Sequence, residues 1–559
     1  MFLVFTFVSL SCYPQNISND ERLRLIVVSY GQAEVTIPYT NNKDLDKLTL
    51  YVSILSVKNK IVHISLSPLT VGWFILQKYD YVIIEKTDNK GVISAFNLNQ
   101  AMEWDKYPTY SQYDSIMQSF RMLYPTLCHL DTIGTSINGK LVLALKISDN
   151  ANNDEDEPEV FYSSTMHGDE TGGFVLMLRF ADYLLKNYNL NSRVKYLVDN
   201  LEIWINPLAN PDGTYRTGNT ISSPTRYNAN GVDLNRNFPD PFKLLEIQQK
   251  ENRDMILFMR KHNFVISSNF HSGSEVVNYP WDRWLSKIHA DDSWFNSISR
   301  AYADTVHRYS GPSYMNDLDN GITRGAVWYI IYGGRQDFVT YELQGREVTI
   351  ELDAQYITPV AQLTLLWQNN WHSLLGYLEN ALYGIHGLVT NASTSAPVSA
   401  RVFITGHDKD SSQVYSDTLT GSFVRLLAPG SWNLTFSATG YHDTTISNII
   451  VTAGQKTEKT VTMVPIINSV ETTNPETPIL YPNPAKTELN VVLPERMSGN
   501  ISIRIFNQAG TLFSDYITET IFGVPVKIDV KRLSGGAYSV VFTNTDKKIS
   551  CHGRYIVKK

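Results

Sequence analysis

The rhythm of apolar and polar positions changes several times along the chain. It opens on MFLVFTFVSLSCYPQ, an apolar stretch of signal-peptide length with no Lys or Arg ahead of it, and residues 1–19 are read as that leader. Residues 20–107 then mix short runs that predict strands (LTLYVSIL, IVHISL, YDYVIIEK) with PLTVGWFILQKY, which predicts a short helix. They make a small α+β module. From 108 to 383, strand-like runs such as LVLALKIS, EVFYSS, LEIWINP and FVISSNF alternate with helical stretches such as GGFVLMLRFADYLLKNY, whose apolar positions recur at helical spacing. That alternation predicts an α/β domain with helices packed on the faces of a sheet.

From Gly384 the pattern shifts to short strands at close spacing, punctuated by Gly and Pro, which predicts a β-sandwich over 384–465. The aperiodic segment INSVETTNPETP reads as a linker, residues 466–479, and a second all-β module follows over 480–559. No fixed-period repeat is visible. Composition narrows the function classes. With 48 Lys+Arg against 55 Asp+Glu, a formal charge of −7, the 559 residues present no basic footprint for nucleic acid. Hydrophobic residues make up 43% and aromatic ones 12%, so most of the chain is expected to fold. No apolar run reaches the length of a membrane span. Three scattered cysteines, Cys12, Cys128 and Cys551, supply neither a disulfide framework nor a cysteine metal site, though Cys12, after Ser-Leu-Ser, is a candidate for lipid attachment. A metal held here must use His and carboxylates.

Such a set exists. His167 and Glu170 stand three apart in MHGDE, where the strand FYSST gives way to a helix, and His271 ends the strand FVISSNF before the small pair Ser272-Gly273. Alone, H-x-x-E is weak evidence and reads as a surface turn. Two His and one Glu at the C-terminal edge of an α/β sheet, with a fourth position left to water, are the ligand set of a hydrolytic zinc site.

The series HGDE, NPLANPDGTYR, TRYNANGVDLNRNFPD, SNFHSG and TIEL closely resembles the zinc metallocarboxypeptidase family, in particular its regulatory branch with carboxypeptidases D, E, M and N, over about residues 108–383. The resemblance implies a mixed central sheet with helices on both faces and one zinc ion on His167, Glu170 and His271. It implies Glu351, in EVTIELD, as the general base that takes a proton from water and passes it to the departing amine. Asn235 and Arg236 would grip the substrate's terminal carboxylate, and a guanidinium fork suits that planar anion. Arg226 would polarise the scissile carbonyl, and Tyr329 would cap the substrate, with Tyr332 as the rival assignment. Asp282, eleven residues after His271, and Gln336, after Gly333-Gly334, would hold a basic C-terminal side chain. Each position also has a structural alternative: Glu351 an edge-strand surface carboxylate, Arg236 and Arg226 salt-bridged arginines, Asp282 a solvated loop carboxylate. Arg335 beside the pocket Gln opposes a basic preference unless its side chain points to solvent, as expected here.

Residues 384–464 resemble the transthyretin-like sandwich that follows the catalytic domain in that branch, and LYPNPAKTELNV, ISIRIFNQAG and LSGGAYSVVF resemble the C-terminal sorting domain of the bacterial type IX secretion system. The resemblances imply a secreted or surface zinc exopeptidase acting on peptide and protein C-termini. It would engage the secretion machinery, cross both membranes of a Gram-negative cell and lose residues from about 480 onward. An inactive peptide-binding protein on the same fold, and a zinc amidase acting on bacterial wall peptides, are the rival functions. The N-terminal module is either a prosegment over the active site or an accessory domain, and its sequence does not decide which.

Overall fold

A computed structural model describes residues 17–39, 42–85, 92–240, 247–466 and 477–559. Cys12, most of the leader and most of the linker lie outside these. Two compact units divide near Pro465.

The first unit begins with helix α1 (Asn19–Tyr30), whose N-terminus is capped by the Ser18 hydroxyl accepting from Glu21 N–H at 3.2 Å. Strand β1 (Ala33–Pro38), helix α2 (Asn42–Leu48), strands β2 (Ser53–Lys58) and β3 (Ile61–Leu66), helix α3 (Val71–Leu76) and strand β4 (Val82–Ile84) follow. The strands form one antiparallel sheet in the order β2-β3-β1-β4. The sheet has its own core, in which Val35, Ile37, Ile54, Val62 and Ile64 meet Leu23, Ile26, Val27 and Phe74. The run IVHISL is β3 as expected. LTLYVSIL is not one strand: its first residue, Leu48, closes α2, and β2 starts only at Ser53. The buried Leu48 and Val52 serve the core from a helix end and a turn, which a short apolar run cannot distinguish from a strand.

The larger part of the unit is an eight-stranded sheet in the order β11-β10-β12-β9-β7-β8-β6-β5, with β5 (Cys128–Thr135), β6 (Leu141–Ile147), β7 (Glu159–Ser164), β8 (Glu202–Asn206), β9 (Phe264–His271), β10 (Ser274–Tyr279), β11 (Ile322–Arg324) and β12 (Arg346–Asp353). It is mixed: β12, β9, β7 and β8 run parallel, while β6, β5 and the β10/β12 pair are antiparallel. Two hydrophobic clusters accompany it, one around helices Gly172–Asn187, Asp292–Ser310 and Val360–Glu379, the other around helix Lys250–Lys261. This is the expected α/β architecture.

The stretch 384–463 forms two small sheets, one built on Gly384–Asn391 and the other on Arg401–Phe403, Gly430–Ser437 and Thr444–Val451, with Ile385, Val402, Phe423 and Phe436 between them. A buried ion cluster joins this sandwich to the α/β domain. Asp291 accepts from Arg346 at 2.7 Å and from Arg425 at 2.7 and 3.1 Å, and lies 2.8 Å from His407 Nε2. Burial disfavours the Asp291 carboxylate, but the Arg425 and Arg346 guanidiniums outweigh it and hold its carboxyl well below the usual range. The second unit is all β, a three-stranded and a four-stranded sheet around Leu489, Val491, Ile503, Val540 and Phe542. Among the described residues no helix is long and apolar enough to cross a membrane.

Candidate active site

The three ligand candidates come from the C-terminal ends of two adjacent parallel strands. β7 leads into the turn carrying His167 and Glu170, and β9 ends on His271. Glycine makes the turn compact, because a Cβ on Gly168 would lie 2.3 Å from the Gly213 carbonyl carbon. His167 Nδ1 lies 2.8 Å from Glu170 Oε1, His271 Nδ1 lies 2.7 Å from Glu170 Oε2, and the two Nδ1 atoms are 3.0 Å apart. All three side chains are buried. Burial pushes the Glu170 carboxyl up, but the two imidazoles more than reverse this and hold it below the usual range. His167 presents its other nitrogen to Asp233 Oδ1 at 3.0 Å, an acceptor that fixes Nε2 as the donor and leaves a lone pair on Nδ1.

Glu351 stands on β12 directly beside His271 in the parallel register. β12 lies between β9 and β10, so Glu351 is on an interior strand and not on an edge. Its Oε2 is buried without a hydrogen-bond partner, and burial together with the Glu170 carboxylate raises its carboxyl well above the ordinary value. Arg226 donates from Nε to Asp233 at 2.9 Å and from one terminal nitrogen to Glu170 at 3.1 Å. Asn235 and Arg236 occupy a short 3-10 turn, Leu234–Arg236, started by Asp233 accepting from Asn235 N–H at 2.9 Å. The Asn235 side-chain oxygen accepts from Arg335 N–H at 2.9 Å, which leaves its NH2 end as a donor, and Arg236 Nε is buried without a partner. Tyr329 lines the same cleft, whereas Tyr332 lies under the Arg283 guanidinium, 4.8 Å from its ring centre.

At the cleft's inner end Asp282 Oδ1 accepts from Asn278 at 2.9 Å and from Gln336 Nε2 at 3.1 Å. Burial raises the Asp282 carboxyl to about 6. Arg335 corrects the sequence reading. It does not reach solvent but is 0% exposed, donating to Glu347 at 3.0 Å and lying 4.9 Å from the Phe161 ring centre. A buried carboxylate on β12 compensates its charge, so it stays clear of Asp282 by turning inward.

The structure thus gathers His167, Glu170, His271, Arg226, Asn235, Arg236, Asp282, Tyr329 and Glu351 around one cleft, with Gln336 against Asp282. Three contributors escaped sequence reading. Asp233 links His167, Arg226 and the Asn235 turn, and its position ahead of Leu-Asn-Arg was its only sequence signal. Asp337 accepts from the Asp282 and Arg283 amides at 3.0 and 2.9 Å. Gly325 is where a Cβ would come within 1.7 Å of Asp282 Oδ1.

Residues 113–373 match the family model described as zinc carboxypeptidase, 384–464 that of the carboxypeptidase regulatory-like domain, and 479–558 that of the secretion system C-terminal sorting domain. Carboxypeptidase D of Homo sapiens is 34% identical over 345 residues, 59% of this chain and 25% of that protein. The carboxypeptidase N catalytic chain of Rattus norvegicus is 31% identical over 389 residues, 61% of this chain and 83% of that protein. The chain belongs to the zinc carboxypeptidase family. It spans about a quarter of the length of the carboxypeptidase D relatives it matches. A solved thrombin activatable fibrinolysis inhibitor is 15% identical, with a TM-score of 0.49 over 63% of this chain and 98% of that one. The donor set fits the zinc that the family's description implies: two imidazole nitrogens and a carboxylate converge on one point, and one imidazole is oriented by a carboxylate behind it. Its final eighty residues carry the sorting domain, a signal for export.

Proposed function

We propose that the chain is an exported metallocarboxypeptidase that hydrolyses the last peptide bond of peptides or proteins and prefers C-terminal Lys or Arg. The observation that carries the reading is the register of Glu351 with His271, which sets an unpartnered carboxylate beside two imidazoles and a third acidic ligand. His167, Glu170 and His271 would hold zinc, which when bound acts as a Lewis acid and makes water nucleophilic near neutrality. Glu351 takes the proton from the attacking water and returns it to the leaving amine. Arg226, fixed by Asp233, stabilises charge developing on the scissile carbonyl oxygen. Arg236 and the Asn235 amide bind the terminal carboxylate, which restricts the reaction to chain ends, and Tyr329 closes over the substrate.

Asp282 supports the basic preference. Left facing an apolar side chain it is a buried, poorly solvated carboxylate, whereas a Lys or Arg end supplies a charge-assisted partner. The sorting domain supports export by the type IX route, across both membranes of a Gram-negative cell, to the surface or medium.

The test is release of the terminal residue from blocked dipeptides ending in Arg, Lys, Leu, Phe or Glu, with chelator and with zinc restored. Chelator-sensitive release of Arg and Lys ahead of the others is expected, and Asp282→Ala should shrink that lead. Release that ignores exhaustive chelation would end the metalloenzyme reading. Preference for Phe or Glu ends would end the pocket assignment alone.

A further inference from the structure

The carboxylate clamp and the side-chain pocket lie on separate pieces of chain, and both hang on one turn, the start of the helix Arg335–Glu342. On one side the Arg335 N–H donates to the Asn235 side-chain oxygen at 2.9 Å, and the Gly333 carbonyl accepts from Phe238 N–H at 3.0 Å. On the other, Gln336 Nε2 donates to Asp282 Oδ1 at 3.1 Å, and Ile331 N–H donates to the Asp282 carbonyl at 3.1 Å. The Arg335 side chain pins the turn to the sheet through Glu347 of β12. The span from clamp to Asp282 decides what length of side chain reaches the carboxylate, and this turn sets that span.

Asp337 is the third residue of the helix. An acidic residue there has an ordinary explanation, since a carboxylate in a first turn meets unsatisfied N–H groups and the positive end of the macrodipole. Its contacts are different. The N-cap is Gly334, with no side-chain cap, and the Asp337 carboxylate crosses to another loop, where Oδ1 accepts from Asp282 N–H at 3.0 Å and Oδ2 from Arg283 N–H at 2.9 Å. Both oxygens are committed to the two consecutive amides that present the pocket's own carboxylate. Burial and the Asp282 charge push the Asp337 carboxyl well above its ordinary range, against the pull of those amides. A helix start alone does not require one carboxylate set beside another. The Arg283 side chain tethers the same loop a second time, pairing with Asp240 in the segment that follows Arg236.

We propose that Asp337 is a positioning residue for substrate selection: by clamping the Asp282 and Arg283 amides it holds the Asp282 carboxylate where a C-terminal Lys or Arg reaches it, in fixed register with Asn235 and Arg236. This rests on the pocket reading above. Asn at position 337 keeps the shape but offers one oxygen and one NH2 group, so one of the two amides would face a donor and the loop, with Asp282, must shift. Charge alone predicts the reverse. Removing a neighbouring negative charge makes Asp282 easier to ionise, which would keep or strengthen a basic preference, so the sign of the effect separates the two roles.

The experiment uses the full zinc-loaded chain at about pH 8, where Asp282, raised to about 6, is ionised. The kcat and KM of blocked peptides ending in Arg and in Leu are measured in wild type, Asp337→Asn, Asp282→Asn and the double variant, with Glu342→Gln at the exposed end of the helix as control. Asp337→Asn should lower the Arg-over-Leu ratio of kcat/KM by at least about tenfold, through the KM of the Arg peptide with kcat held within about threefold, and the control should leave it unmoved. In the Asp282→Asn background the same change should move the ratio by less than about twofold, because the group it positions has lost its charge. A high wild-type ratio that survives Asp337→Asn, or equal falls with and without the Asp282 carboxylate, overturns this proposal alone. A wild-type ratio near one ends the pocket reading and takes the proposal with it. Should Asp337→Asn not fold, Asp337→Ser, smaller and uncharged, is judged by the same ratio. Should neither peptide be cleaved by any chain, the peptidase reading falls, and calorimetric binding of N-acetylarginine against N-acetylleucine replaces the ratio: a preference lost in Asp337→Asn upholds the positioning role and a preference kept overturns it.

Discussion

Gly325→Ala is a one-carbon test of the proposed specificity pocket. The added methyl would sit 1.7 Å from Asp282 Oδ1, 2.8 Å from Asn278 Oδ1 and 2.9 Å from Asp282 Cγ. Oδ1 is the oxygen that accepts both pocket hydrogen bonds, from Asn278 at 2.9 Å and Gln336 at 3.1 Å. Relief requires the carboxylate to retreat by more than about 1 Å, because carbon and oxygen in contact do not approach much below about 3.3 Å. Hydrogen bonds to a charged group contribute about 1.5–3 kcal/mol each, and overpacking a buried site costs about 1–3 kcal/mol. Losing one such contact to the substrate's cation corresponds to a fall of about 10- to 100-fold in kcat/KM for peptides ending in Arg or Lys, since 1.4 kcal/mol is a factor of about ten. Peptides ending in Leu make no use of the carboxylate and should keep their rate within about threefold. The assay is the ratio of the two kcat/KM values, with zinc content and Tm measured alongside. An equal fall for both substrates at normal zinc content, or an unchanged ratio, would falsify the assignment of Asp282 as the residue that selects the side chain.

Glu351→Gln should leave zinc bound while lowering kcat by about 10²- to 10⁴-fold, and His271→Ala should lose both; metal analysis beside kinetics separates the two roles. Because burial raises the Asp282 carboxyl to about 6, the pocket loses its negative charge as pH falls through that value. The Arg-over-Leu ratio of kcat/KM should therefore decline below about pH 6 in wild type and stay flat in Asp282→Asn; a wild-type ratio constant from pH 5 to 8 would contradict this. Deleting residues from about 480 onward should strand a folded enzyme in the periplasm, and normal delivery of the truncated chain to the surface or medium would refute the export route.

The strands that build the site were legible because they are short runs rich in β-branched and aromatic residues, buried along almost their whole length: FVISSNF became β9 and EVFYSS became β7. The candidate metal ligands could be picked out because His271 ends β9 and His167 and Glu170 stand on the turn after β7. Contacts between distant elements were not. Arg335 looked like a surface cation because its sequence neighbours do not show that the helix turns it inward, onto Glu347 of β12 and the Phe161 ring of β7. In α1 the apolar positions Leu23, Ile26 and Val27 are interrupted by charge, and the Ser18 cap that starts the helix lies within the stretch read as leader, so the segment did not announce itself. Gln32 carries no motif at all. Only the fold, after the left-handed Gly31, brings its Nε2 within 2.8 Å of Asp169 Oδ2, 137 positions along the chain.

Arg346 opens β12, the strand that carries Glu351, and it is fastened from outside, to Asp291 and to the Ser412 carbonyl at 2.7 Å each. Arg425, His407 and Asp408 complete that fastening from the sandwich. The α/β segment and the sandwich therefore cannot be shuffled as separate cassettes. A lineage that discarded the sandwich would leave the Arg346–Asp291 pair uncovered, without Arg425 and without the Ser412 carbonyl, at the foot of the strand bearing the proposed base. The two parts must be inherited, and engineered, as a single piece.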